Sequence, residues 1–150
     1  MRQRGFTLIE MIAVVVIMAT LAVVAIGSFN PNDYELSAVR DELVGALRHA
    51  QSLSLSHTGA TNYEVALTGT GYSVTQGGAP IAHPVTGASS YNSSWSNATL
   101  GSSGTISFDG YGEPSLAGGL TWSGNQLLVT VSVGNVSDSL RLERITGFVR

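Results

Sequence analysis

Between Met11 and Ile26 only Thr20 interrupts an apolar run, and a single carboxylate, Glu10, stands directly in front of it within Gly5-Phe6-Thr7-Leu8-Ile9-Glu10. A continuous helix from Phe6 to Ile26 rises about 31 Å at 1.5 Å per residue, which matches a hydrocarbon thickness of about 30 Å. An ionised carboxylate inside such a segment costs about 2.5 to 3.5 kcal/mol on insertion scales, so residues of this kind pair with a cation or face another helix. The simpler alternative leaves Glu10 near the cytoplasmic headgroups of a plain single-span anchor. Ahead of the run lies only the basic stretch Met1-Arg2-Gln3-Arg4-Gly5. The positive-inside bias keeps that stretch in the cytoplasm and sends the C-terminal bulk outward.

A secretory signal places its small-residue cleavage site after the apolar region. Here the small residue, Gly5, comes before it. Cleavage there removes five residues and leaves the apolar helix on the mature protein, with Phe6 as its N-terminus. Arg4-Gly5-Phe6-Thr7-Leu8-Ile9-Glu10 resembles the class III leader junction of type IV prepilins and type II secretion pseudopilins. The resemblance implies a membrane peptidase that cuts between Gly5 and Phe6 and methylates the new Phe6 amine. It also implies that Glu10 pairs with the Phe6 amine of a neighbouring subunit during filament assembly.

Composition bounds the rest. A chain of 150 residues suits one exported domain plus an anchor. Cysteine is absent, which excludes disulfide staples, thiolate metal sites and a cysteine nucleophile. All seven basic residues are arginine, and loss of Arg2 and Arg4 with the leader moves the formal charge from −3 to −5. An acidic balance disfavours a sequence-independent grip on phosphate.

Three regions follow: a leader over residues 1–5, a membrane and assembly helix over 6–29, and an exported α+β domain over 30–150. Asn30-Pro31-Asn32-Asp33 interrupts the apolar helix, with proline either kinking it or starting a new one. From about Asp33 to Ser56, Leu36, Val39, Leu43, Leu47, Ala50 and Leu53 or Ser54 recur at spacings of three and four. Charged residues fill the other face, so an amphipathic helix packs on a sheet. Gly45 weakens that helix by about 1 kcal/mol, and His57-Thr58-Gly59 ends it.

Beyond Gly59, Asn62–Thr68 and Tyr72–Gln76 flank Gly69-Thr70-Gly71 as a β-hairpin with Tyr63, Val65 and Leu67 on one face. The Gly/Ser/Asn-rich stretch from Gly77 to about Ser103 reads as an irregular surface loop with a short strand near Trp95 to Leu100. Further strands are expected at Thr105–Phe108, Leu120–Trp122, Gln126–Val133 and Ser139–Ile145. Turns are expected at Gly110–Pro114 and Val133-Gly134-Asn135. The fold class is α+β: a long N-terminal hydrophobic helix continuing into an amphipathic helix packed on an antiparallel sheet.

The segment Arg40–Ser56, then Ile106-Ser107-Phe108-Asp109-Gly110 and the terminal Ile145–Arg150, is similar to GspH/FimT-type minor pseudopilins and minor pilins. Lack of cysteine departs from many major pilins, which close a C-terminal loop with a disulfide. The resemblance implies a bacterial inner-membrane protein with a cytoplasmic N-terminus and a periplasmic domain that later joins a filament. Its implied partners are other pilins or pseudopilins, the prepilin peptidase and an inner-membrane assembly platform. Leader and helix serve a type IV pilus and a type II secretion pseudopilus equally. Gly77–Leu100 has no counterpart in the resemblance.

Catalysis has little support. His49, His57 and His83 lack metal-ligand spacing, and HExxH, GxSxG and phosphate-loop patterns are absent. His49 falls on the polar helix face, and His57 near the helix end suits the terminal carbonyls. Gly101-Ser102-Ser103-Gly104 reads as a turn rather than a nucleophile site, and no cofactor is implied. Asp109 and Glu113 flank a Gly-rich turn and are weak calcium candidates, being two carboxylates without a fuller oxygen set. Some minor pilins of the resembling type bind DNA through basic C-terminal residues, which singles out Arg141, Arg144 and Arg150. Interspersed Asp138 and Glu143 favour a solvated strand face instead, so nucleic acid is a disfavoured partner. Adhesion through Tyr91, Trp95, Tyr111 and Trp122 is a further alternative, though core packing accounts for aromatics equally.

Overall fold

The computed structural model describes residues 6–27, 30–57 and 62–150, with the side chains of 25–27 outside the description. The chain divides into two compact units, Met1–Pro31 and Asn32–Arg150.

The described part of the first unit is helix α1, Leu8–Gly27. It starts two residues later than the apolar pattern suggests, because Thr7 rather than Phe6 caps it. Its described side chains are exposed on every side within this unit, as expected of a helix apolar all round, which is buried only by lipid or by other helices. Thr20 returns its hydroxyl to the Ile17 carbonyl at 2.8 Å, so the one hydroxyl in the run needs no outside partner. Among the described residues no helix is long and apolar enough to cross a membrane. The described side chains of α1 end at Val24.

Helix α2, Pro31–Ser56, lies in the second unit from Asn32 onward and opens on Pro31, where the missing amide hydrogen costs no intrahelical bond. Leu36, Val39, Leu43, Val44, Ala46, Leu47 and Ala50 form its buried stripe, each fully buried leucine or valine contributing about 1.5–3 kcal/mol. Ser54 joins the stripe at 2% exposure, and its hydroxyl donates to the Gln51 carbonyl at 2.8 Å. His57 is the first residue past the helix; Thr58 and Gly59 lie outside the described residues.

Strands β1 (Tyr63–Thr68) and β2 (Gly71–Gln76) form the expected hairpin, with Thr68 opposite Gly71. Tyr63, Val65 and Leu67 share its buried face. The stretch after Gly77 departs from the irregular loop expected of it. It contains β3 (Ala79–Pro80) and β4 (Tyr91–Ser94), which were not expected, and β5 (Ala98–Leu100), which falls within the short strand expected near Trp95 to Leu100. Strands β3 and β4 pair in succession along the same edge of β2. Such short segments carry no period of two, since neighbours rather than their own apolar residues hold them.

Strand β6, Gly104–Phe108, pairs with β1, and β7, Pro114–Gly118, pairs with β6. The expected strand at Leu120–Trp122 is therefore displaced to Pro114–Gly118. Pro114 opens an edge strand, where a missing donor is tolerated. Leu120 is buried, but as the anchor of a loop. Gly104 has φ +152, and a Cβ there would strike the Ala117 carbonyl oxygen, so this crossing requires glycine.

Strands β8 (Gln126–Val133) and β9 (Val136–Glu143) close on the two-residue turn Gly134-Asn135. Strand β9 ends at Glu143, and Arg144–Thr146 turn the chain back so that Val149 bridges Leu142. Ile145, expected in a strand, is exposed in that turn. Among the described residues there are thus two antiparallel sheets rather than one: β3-β2-β1-β6-β7 with β4 also on β2, and β5-β8-β9. The α2 stripe and the inner faces of both sheets form one core, with Phe108, Leu43, Leu47 and Ile106 among its fully buried residues. The fold is α+β and consistent with a pilin-like architecture.

Candidate functional site

The N-terminal site begins at Phe6, which is 75% exposed, and Thr7, both ahead of α1. Thr7 Oγ1 accepts the Glu10 amide hydrogen at 3.3 Å, and the Thr7 carbonyl accepts from the amides of Glu10 and Met11 at 3.1 and 3.2 Å. Thr7-Leu8-Ile9-Glu10 is therefore a T-x-x-E helix start, the side-chain half of a capping box. Glu10 lies in the first turn, where the positive end of the helix dipole favours a carboxylate by about 0.3–1 kcal/mol. The T-x-x-E spacing is itself a sequence signal for this helix start, separate from the membrane cost of the charge. Glu10 is the only charged side chain of α1, and next to it Leu8, Met11, Ile12, Val15 and Val16 line an apolar groove along one helix face. Gly5 lies outside the described residues.

The three C-terminal arginines come together only in part. Arg141 and Arg150 exchange backbone hydrogen bonds at 2.9 and 3.0 Å, which sets them directly opposite across an antiparallel pair with side chains on one face. Both are exposed, and like charges so placed repel. Arg144 is set apart: its guanidinium lies 6.0 Å from the centroid of the Trp122 ring, and its amide donates to Asn125. Among the described residues none of the three forms an ion pair. Asp138, a neighbour of Arg141 in sequence, instead reaches Arg40 of α2 at 3.0 Å.

Asp109 and Glu113 are held by the loop itself. Asp109 Oδ1 accepts the amide hydrogens of Tyr111 and Glu113 at 2.9 and 2.8 Å. One candidate calcium ligand thus already closes its own turn. No group of three metal-ligating side chains occurs among the described residues.

The four aromatics separate by burial. Tyr91 is buried, Trp95 and Trp122 pack partly against the core, and Tyr111 is 90% exposed. Around Tyr91 the structure assembles a cluster that the sequence did not signal. Glu42 of α2 accepts from Tyr72 Oη and Trp95 Nε1, each at 3.1 Å. Tyr91 meets Tyr72 at 5.9 Å, His49 at 5.7 Å and His83 at 4.4 Å between ring centroids. Burial, then the Glu42 charge, pushes the Tyr72 hydroxyl far above its usual range. Burial, followed by the charge of His83, lowers the pKa of His49. His49 is therefore half-buried against Tyr91 rather than on a purely solvated face. His57 Nδ1 lies 3.0 Å from the Leu53 carbonyl oxygen and 3.3 Å from Tyr63 Oη, which is its expected place at the helix end. Ser102 Oγ is buried with no hydrogen-bond partner among the described residues.

Residues 1–26 match the family model described as the prokaryotic N-terminal methylation motif. No curated protein matches the chain, and no solved structure matches it. The matched region holds the Gly5–Phe6 junction, Glu10 and most of α1. The chain thus carries a prepilin-type N-terminal methylation motif over its first 26 residues.

Proposed function

We propose that this chain is a minor pilin or pseudopilin of GspH/FimT type, a non-catalytic subunit of a type II secretion pseudopilus or a type IV pilus. The observation that carries the reading is the junction of the methylation motif with a threonine-capped, otherwise uncharged helix whose lone carboxylate is Glu10. Cleavage after Gly5 frees the Phe6 amine. The segment over residues 6–29 anchors the subunit in the inner membrane, N-terminus in the cytoplasm, with the domain over 30–150 in the periplasm. Leaving lipid removes favourable burial from α1 unless other apolar helices replace it, so the same all-round apolar surface is covered by neighbouring subunits in the filament. Glu10 then meets the Phe6 amine of a neighbour, which compensates a charge that nothing else in α1 can balance.

Two measurements test this. Mass spectrometry of the protein from its native host should find methylated Phe6 at the N-terminus, and a bulky residue at position 5 should abolish processing. Glu10→Val should insert and be processed yet fail to enter filaments; incorporation at the wild-type level would count against the pairing.

A second reading rests on the cross-strand pair Arg141 and Arg150, whose uncompensated charges suit a polyanion such as DNA during uptake. Binding of the full chain in micelles that weakens steeply with salt, and is lost in Arg141→Ala/Arg150→Ala, supports this reading; no binding at low salt rejects it.

A further inference from the structure

His83 holds the loop after β3 in a manner that depends on its own protonation. Its Nδ1 accepts the amide hydrogens of Val85 and Thr86 at 3.2 and 3.3 Å. Its backbone closes the same loop, His83 N–H donating to the Ala88 carbonyl and Gly87 N–H to the His83 carbonyl, both at 2.9 Å. The imidazole centroid lies 4.4 Å from that of the buried ring of Tyr91 on β4, the two rings tilted by 56°. A nitrogen that accepts hydrogen bonds carries no proton, so this arrangement exists only for the neutral ring with its hydrogen on Nε2.

We propose that His83 is an acid-released latch that closes the loop over residues 83–88 onto Tyr91 while neutral and frees it when protonated. A proton on Nδ1 converts the shared acceptor into a donor facing two amide hydrogens, and both bonds are lost together. The surroundings of the ring hold further titratable groups. On α2, His49 packs against the same tyrosine, and its pKa is lowered by burial and by His83. On β2 stands Tyr72, whose hydroxyl occupies one oxygen of Glu42, while Trp95 occupies the other. Glu42 is the carboxylate of this cluster. Release uncovers Tyr91 and frees the segment between β3 and β4 on the edge of β2, so the exposed surface of the domain differs between neutral and acidic surroundings. Histidine is the side chain whose charge ordinarily changes between about pH 5 and 8.

The test uses the full-length chain in detergent micelles, observed by NMR across that range. As the His83 ring charges, the amide resonances of Val85, Thr86 and Gly87 should move with the same midpoint while those of β8 stay fixed. At the acidic end, Val85 and Thr86 should exchange hydrogen about tenfold faster than in His83→Asn at the same pH. Asparagine places an uncharged acceptor, Oδ1, two bonds from Cβ as Nδ1 is, and should keep the loop closed at every pH. His83→Ala should leave both amides unprotected throughout. A His83 ring that charges while the Val85 and Thr86 amides stay still overturns the latch, as does an unchanged pH response in His83→Asn.

Discussion

Thr7 and Glu10 are joined by a hydrogen bond from the Glu10 amide to the Thr7 hydroxyl at 3.3 Å, so the residue that caps α1 also holds the backbone of the residue that carries its carboxylate. The helix thereby offers Glu10 at its first turn with an amide already satisfied. Thr7→Val, which keeps the shape and deletes the acceptor, should destabilise this turn by about 1 kcal/mol, whereas Thr7→Ser should be near neutral. Amide exchange at Glu10 and Met11 in micelles measures this, and equal exchange in both variants would show the cap to be idle.

Gln51 ties two loops to the end of α2. Its Nε2 donates to the carbonyls of Gly112 and Thr146 at 3.0 and 2.8 Å. Gln51→Leu should cost about 1–3 kcal/mol, since both carbonyls lose a partner that water replaces incompletely. Gln51→Glu should cost more at neutral pH and recover partly in acid, because an ionised carboxylate faces two carbonyl oxygens. Thermal unfolding of the three proteins at two pH values decides it.

Glu42 accepts on both oxygens, so Glu42→Gln turns one acceptor into a donor opposite Tyr72 or Trp95. A loss of about 1–3 kcal/mol is expected, with a shift in Trp95 emission. Burial first and Glu42 second raise the Tyr72 pKa. In the variant, therefore, the hydroxyl should ionise at lower pH, read as phenolate absorbance on alkaline titration; an unmoved phenolate would exclude the contribution of Glu42.

His49 has a lowered pKa, chiefly from burial and then from His83. A depressed histidine binds fewer protons folded than unfolded, so its stability contribution is complete above the unfolded value of 6.5 and is lost as pH falls below it. His49→Gln should flatten the decline in stability on acidification, measured by denaturant unfolding. A slope equal to wild type would place the acid sensitivity elsewhere.

Much of the α+β fold was readable because apolar periodicity is a local property. The three-and-four spacing from Leu36 to Ala50 outlines the buried face of α2, and the alternation in Tyr63–Leu67 and Leu127–Val133 marks strands buried on one side. The Leu120–Trp122 expectation fails for a physical reason: Leu120 is buried without being paired in a strand, while the edge strand Pro114–Gly118 is paired but mostly not buried. Strands β3 and β4 were beyond reach for the same cause, since backbone bonds to β2 hold residues with little apolar pattern of their own, whereas β5 falls within the short strand expected near Trp95 to Leu100.

By itself the order of residues carries the N-terminal methylation motif, because the Gly5–Phe6 pair, Glu10 and the apolar run are adjacent in sequence and need no fold to be recognised. Tertiary structure alone decided which distant groups meet. It set Arg150 opposite Arg141, engaged Asp138 with Arg40, and gathered Glu42, His49, Tyr72, His83, Tyr91 and Trp95 into one cluster. Contacts such as these, more than fifty residues apart for Glu42 and Trp95, depend on sheet register and helix placement. Those arise from the packing of the whole core rather than from any local stretch.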